Sequence, residues 1–242
     1  MQRRLAAECL GSAVLVAVVV GSGIMAVRLT GDTGVQLIIN ALATVAALGV
    51  LIWLLAPVSG AHLNPVVSAA DWLLGRRTGT GLTGQEVLAY SAVQMVGGVL
   101  GAVLANMMFE VPVTELATTD RTGAHLWLGE VVATAGLVVL IFAVARSGRG
   151  LLAAPAVGAY IGAAYWFTSS TSFANPAVTV GRMFSDSFAG IAPGSVPGFV
   201  VAQILGGAVA VALVRYLYPG VADAAGDVVV PHPPSAERRR RA

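Results

Sequence analysis

The chain reads as a series of long apolar runs with very few charges inside them. Charge-free stretches extend from Cys9 to Val27, Thr33 to Ala70, Val87 to Phe109, Leu151 to Gly181 and Ser187 to Val214. Each is of the order of the roughly 20 residues that cross a bilayer as a helix. A further run, Thr122 to Ala145, is interrupted only by His125 and Glu130. The pattern predicts six spans, near residues 6–27, 35–56, 86–108, 126–145, 151–168 and 197–217. Thr33 to Ala70 and Leu151 to Gly181 are longer than one span needs, so each must also hold a segment that does not cross.

Composition agrees with a membrane chain. Of 242 residues, 57% are hydrophobic and only 11% charged, less than half the charge of an ordinary soluble domain. Every basic residue other than histidine is Arg. With six spans, Arg3, Arg4, Arg76, Arg77, Arg146, Arg149, Arg215 and Arg238 to Arg241 fall on one side, and Arg28, Arg121 and Arg182 on the other. The positive-inside rule then makes both termini cytoplasmic. The net charge of +2 therefore reflects topology and does not point to nucleic acid. Arg3 and Arg4 before an apolar run imitate a signal peptide, but the run is too long and Glu8 sits at its start. The lone Cys9 builds neither an intrachain disulfide nor a thiolate metal cluster, and as a small residue in the first span it is read as packing. From about Val221 the character changes: Pro231, Pro233 and Pro234 precede Glu237 and four Arg residues. Residues 221–242 are expected to be a disordered basic cytoplasmic tail.

The two halves repeat one another, which locates a site. Glu8 opens a span, Asn64-Pro65 lies in the first over-long run, and Gln94-Met-Val-Gly-Gly lies in the next span. The second half answers in the same order with Glu130, Asn175-Pro176-Ala177 and Gln203-Ile-Leu-Gly-Gly. Three spans per repeat is an odd number, so the second copy enters the membrane upside down. Repeat one covers about 3–110 and repeat two about 124–218, within a domain of residues 1–220. Inverted repeats of this kind place solute sites near the midplane, where helices are interrupted. Asn is a favoured N-cap, and Pro at the first helical position gives up no hydrogen bond. Residues 64 to about 74 and 175 to about 185 are therefore predicted to be short half-helices dipping in from opposite faces. Irregular backbone at that depth must be buried in protein or line a wet cavity; Ser59, Gly60 and Ala61 in one loop and Ser169 to Ser172 in the other suit such a lining.

The segments Gly60-Ala61-His62-Leu63-Asn64-Pro65-Val66 and Phe173-Ala174-Asn175-Pro176-Ala177-Val178 resemble the paired Asn-Pro-Ala signatures of the aquaporin superfamily, and the Glu and Gln landmarks extend the resemblance over residues 3 to about 218. The resemblance implies an all-α membrane fold of six tilted spans and two half-helices, right-handed and assembled as a tetramer with one pore per subunit, with no cofactor and no metal. It implies that Asn64 and Asn175, flanked by Pro65, Val66, Pro176 and Ala177, donate hydrogen bonds to solute at the pore midpoint. Two helix N-termini meeting there oppose cations and break a proton wire. Glu8 and Glu130 resemble carboxylates that brace the loops, a reading preferred to a proton relay because no buried base accompanies them. His62 resembles a residue that steadies the first loop, with pH gating as the lesser alternative.

Two departures from the family pattern matter. Val66 replaces the Ala of the first motif, and Val178 stands where most members place the Arg of a narrow extracellular filter. Counting offsets from the motifs gives Thr44, Ser172 and Ala163 as the other filter members, with Tyr165 or Trp166 as alternatives to Ala163, because Pro155 shifts the register of the fifth span. Thr, Ala, Ser and Val would make a wide, mildly apolar constriction. Arg182, seven residues beyond Asn175, lies about two turns along the same face and could replace the missing charge; the preferred expectation is that it snorkels outward. The run Tyr165 to Thr179, with Val in place of Arg, resembles a bacterial branch associated with arsenic resistance. This implies passage of small neutral solutes: glycerol-like polyols, metalloid hydroxides such as arsenous acid, and water. A water-selective channel is the nearest alternative. An ion-coupled transporter would need binding groups beyond Glu8 and Glu130, and an enzyme would need a nucleophile with a buried base.

Overall fold

The computed structural model describes residues 1–219, apart from residues 114 and 147 and the side chain of 146. The expected basic tail lies outside the described residues. Among the described residues eight α-helices follow one another: α1 (Gln2–Leu29), α2 (Thr33–Ser59), α3 (Pro65–Gly75), α4 (Gly84–Met108), α5 (Ala124–Arg146), α6 (Ala153–Phe167), α7 (Pro176–Arg182) and α8 (Val196–Leu217). Among the described residues six helical segments are long and apolar enough to span a bilayer, the fifth being α6 together with the 3-10 turn Gly150–Leu152 before it; α3 and α7, of 11 and seven residues, are not.

The helix boundaries follow from local chemistry. Asp32 caps α2 through a 2.9 Å bond from the Val35 amide. Thr83 and Glu86 form a reciprocal capping box at the start of α4, satisfying two end donors at once. Gly60 ends α2 in the left-handed region, at φ 90°. The second half-helix is shorter than the predicted 175–185. After Arg182 the Met183 amide bonds back to Val180 and Gly181, and the chain reverses so that the Ala189 carbonyl meets the Arg182 side chain.

The outside of the bundle is apolar, as lipid demands. Trp53, Leu42, Leu88, Leu128, Val201 and Leu213 are all exposed. Inside, α1 packs against α4 and α2, and α5 against α8 and α6. Close approach without a hydrophobic driving force needs small side chains. A Cβ on Gly98 of α4 would lie 2.4 Å from the Ala177 carbonyl oxygen of α7, and one on Gly207 of α8 would lie 2.4 Å from Val66 Cγ1 of α3. Each half-helix is thus seated on a glycine of the opposite half of the chain.

Candidate functional site: a narrow cavity between two half-helices

Asn64 and Asn175 cap α3 and α7 with their side-chain oxygens, which accept from the Val66 amide at 2.9 Å and the Ala177 amide at 2.9 Å. Pro65 and Pro176 occupy the first helical positions. The side-chain nitrogens cross over: Asn64 Nδ2 donates to the Ala174 carbonyl at 2.8 Å, and Asn175 Nδ2 to the Leu63 carbonyl at 2.7 Å. One N–H of each amide is spent there, leaving the second for the cavity that both residues line.

The loops before the two Asn residues hold an unusual backbone. Ala61 and Leu63 in one, and Ser172 and Ala174 in the other, all have φ between 48° and 53°. None is glycine, so each is held against its own preference by its surroundings. Glu8, fully buried, accepts from Ser59 Oγ at 2.6 Å, the His62 amide at 3.0 Å, the Leu63 amide at 2.7 Å and Gln94 Nε2 at 2.7 Å. Glu130, also fully buried, accepts from the Phe173 amide at 2.8 Å, the Ala174 amide at 2.8 Å and Gln203 Nε2 at 2.6 Å. Ser59 and Ser170 match as well, each accepting from the amide two residues on. Every group at these carboxyl oxygens is a donor, the arrangement a carboxylate takes.

The cavity passes Leu63, Asn64, Asn175 and Val178 and continues into a second one lined by Ala56, Gly60, Ala61 and His62. The first cavity, of about 70 Å³, is the smaller of the two, the second holding about 230 Å³. His62 lines both cavities; its Nδ1 lies 2.9 Å from Ser68 Oγ, and its buried Nε2 has no partner among the described residues. Val66 and Ala177 are buried beside the capping residues and are not among the cavity's walls.

The filter residues expected from spacing divide. Thr44, Ser172 and Val178 all line the narrow cavity, whereas Ala163 and Trp166 are exposed on the outside of α6. Tyr165 takes the fifth-span place, 4% exposed, with its hydroxyl 3.1 Å from Thr44 Oγ1. The reason for the correction is helix phase: a 3-10 turn at Gly150–Leu152 leads into α6, and in that phase residues 157, 161 and 165 face inward. Thr44 has a single hydroxyl hydrogen, given to the Asn40 carbonyl at 2.8 Å, so Tyr165 is the donor in the pair. An aromatic wall therefore narrows a constriction that spacing alone predicts to be wide. Ser172 Oγ is buried in that wall without a partner among the described residues.

Arg182 also departs from expectation. It does not snorkel: it is 3% exposed, lines the narrow cavity, and lays its guanidinium 3.4 Å from the centroid of the Phe173 ring. At the α3 end, sequence reasoning missed a polar cluster. Arg4 donates to Tyr90 at 2.8 Å and pairs with Glu86 at 2.9 Å, while Tyr90 donates to the Ser59 carbonyl at 2.9 Å. Asp71 in α3 accepts from the Leu82 amide at 2.7 Å. The charge-free run Thr33 to Ala70 stops one residue before Asp71, the one available signal.

Comparison with known proteins agrees with this architecture. The profile of the family described as Major intrinsic protein matches residues 1–173, taking in the first Asn-Pro pair and stopping just short of the second. Aquaglyceroporin AqpS of Rhizobium meliloti (strain 1021) is 50% identical over 218 residues, covering 90% of this chain and 91% of that protein. The glycerol uptake facilitator protein of Pseudomonas aeruginosa is 30% identical over 216 residues, covering 77% of this chain and 75% of that one. Among solved structures, the aquaglyceroporin from Plasmodium falciparum superposes with a TM-score of 0.69 at 20% identity, over 92% of this chain and 98% of that one, a likeness of fold. On the family match and the extent of the identity, the chain belongs to the major intrinsic protein family, multi-pass membrane channels rather than enzymes.

Proposed function

We propose that the chain is a passive channel for small uncharged polyhydroxylated solutes: glycerol-like polyols and metalloid hydroxides such as arsenous acid, with water passing alongside. The observation that carries this reading is the make-up of the constriction. Val178 presents an apolar surface, Tyr165 an aromatic one, and the second N–H of each Asn offers a hydrogen bond between them. A neutral solute with several hydroxyls on a compact body can satisfy both kinds of surface at once. A monovalent cation meets two helix N-termini at the midpoint and no carboxylate lining the cavity.

In this reading Asn64 and Asn175 orient solute at the midpoint, and Thr44, Tyr165, Ser172 and Val178 select it. Glu8 and Glu130 hold the loop backbone, and His62 steadies the first loop. Repeats 3–110 and 124–218 form one channel domain in inverted orientation, with both termini cytoplasmic, in a bacterial inner membrane, and four copies assemble with one pore each. The relation to Aquaglyceroporin AqpS supports the solute class. The test is flux of glycerol and of arsenous acid into proteoliposomes with proton and sodium gradients imposed or collapsed. The channel reading expects equal rates and equilibration without accumulation; accumulation against a gradient would overturn it.

A further inference from the structure

Arg182 is the one charged side chain among the described residues lining the narrow cavity. It takes part in no ion pair among the described residues, where the pair formed is Arg4–Glu86, at the other end of the bundle; the buried Glu130 acts on it only through space, its oxygens being held by the Phe173 and Ala174 amides and Gln203. Arg121, which leans on the same Phe173 ring, has its guanidinium occupied by the carbonyls of Gly190 at 2.8 Å and Phe188 at 3.3 Å. Arg182 spends only Nε, on the Ala189 carbonyl; its two Nη atoms have no partner among the described residues and are not sealed from the cavity they border. A guanidinium stays protonated and carries five donors, so this one leaves several facing the lumen.

Its direction fits. Val178 and Arg182 are four residues apart on α7 and share one face. Helical side chains lean toward the N-terminus, so a long side chain at 182 covers the turn that Val178 begins. The Phe173 ring and the Ala189 carbonyl fix it there.

We propose that Arg182 is the cation of this channel's narrow section: its Nη groups donate to the solute's oxygens, and its fixed charge, poorly screened in a narrow pore, turns back protons and metal cations. The charge that the position of Val178 does not supply is supplied from one turn further along the half-helix. This rests on the channel reading above, and the experiment separates the two.

Full-length protein, unsubstituted or carrying Arg182→Met or Arg182→Lys, is reconstituted into vesicles holding a pH dye. Proton leak under a potassium diffusion potential and glycerol flux by light scattering are then measured on the same preparation. The proposal expects Arg182→Met to lower glycerol flux, because donors to the solute are lost, while raising proton leak at least tenfold, and Arg182→Lys to stay within about twofold of the unsubstituted channel in both. A methionine variant that conducts glycerol and remains as proton-tight as the parent overturns it, as does a lysine variant that leaks equally. Should the methionine variant not conduct glycerol, the comparison moves to Arg182→Cys in a Cys9→Ser background, Cys9 being the chain's one cysteine. There the proposal expects a leak that an aminoethyl disulfide adduct stops and a neutral methyl adduct does not; no leak, or equal response to both adducts, overturns it. Absence of glycerol flux in the unsubstituted channel would count against the channel reading and leave the role of Arg182 as charge barrier to be read from the proton leak alone.

Discussion

Replacing Glu130 by Gln tests the idea that the buried carboxylates are structural braces. Glu130 receives two backbone amides at 2.8 Å and Gln203 at 2.6 Å, and all three contacts are buried. A carboxamide keeps one acceptor oxygen and puts an NH2 group where a donor already points. Gln203 can turn its free Oε1 toward that NH2, but one loop amide is still left unpaired, at about 1–3 kcal/mol. The surviving bond also loses its charge assistance, roughly 1 kcal/mol more. The expected loss is about 2–4 kcal/mol, which for a chain of this size lowers the unfolding midpoint by about 5–15 °C. Ser172 and Ala174 then relax from the left-handed region, and with them goes the loop that holds Ser172 in the cavity wall. The assay is the temperature at which detergent-solubilised protein leaves the monodisperse peak, paired with glycerol flux in vesicles. Both should fall. An unchanged midpoint with abolished flux would instead mark Glu130 as a proton-carrying group, and no change in either would refute the brace.

Other outcomes follow from the same geometry. Gly98→Ala places a methyl 2.4 Å from the Ala177 carbonyl, so α7 must shift; a stability loss of about 1–3 kcal/mol and reduced flux are expected in the same two assays. Val178→Arg brings a second guanidinium within one turn of Arg182 and should lower glycerol and arsenous acid permeability more than water permeability; unchanged ratios would remove Val178 from selectivity. Asp120, on the loop between α4 and α5, is held below its usual 3.8 by hydrogen bonds from the Thr122 hydroxyl and then Ser195. The clasp is therefore fully present above pH 3.8 and is lost as the pH falls through the lowered value. Hydrogen exchange of the Thr122 amide, corrected for intrinsic pH effects, should show protection at pH 5 that disappears in stronger acid.

What the sequence made legible was local chemistry. Asn-Pro before an apolar run is a capped helix start wherever it occurs, so α3 and α7 could be placed from residues 64, 65, 175 and 176 alone. Glu8, Glu130, Gln94 and Gln203 could be paired because the repeat order relates them. The lining of the narrow cavity was half legible. Thr44, Ser172 and Val178 follow from counting, but choosing Tyr165 over Ala163 requires the phase of α6, which the 3-10 turn at its start and packing on α2 decide. Arg182 was misjudged because the direction of a side chain at the end of a seven-residue helix depends on where the following loop returns, here to Ala189. The left-handed residues 61, 63, 172 and 174 were invisible, since none is a residue type that announces that conformation.

The account stands most directly on the solute. Stopped-flow light scattering on one vesicle preparation, comparing water, glycerol, urea and arsenous acid, measures it. Glycerol and arsenous acid entering well above the rate of protein-free vesicles is the predicted result; water entering quickly while both are excluded would contradict it.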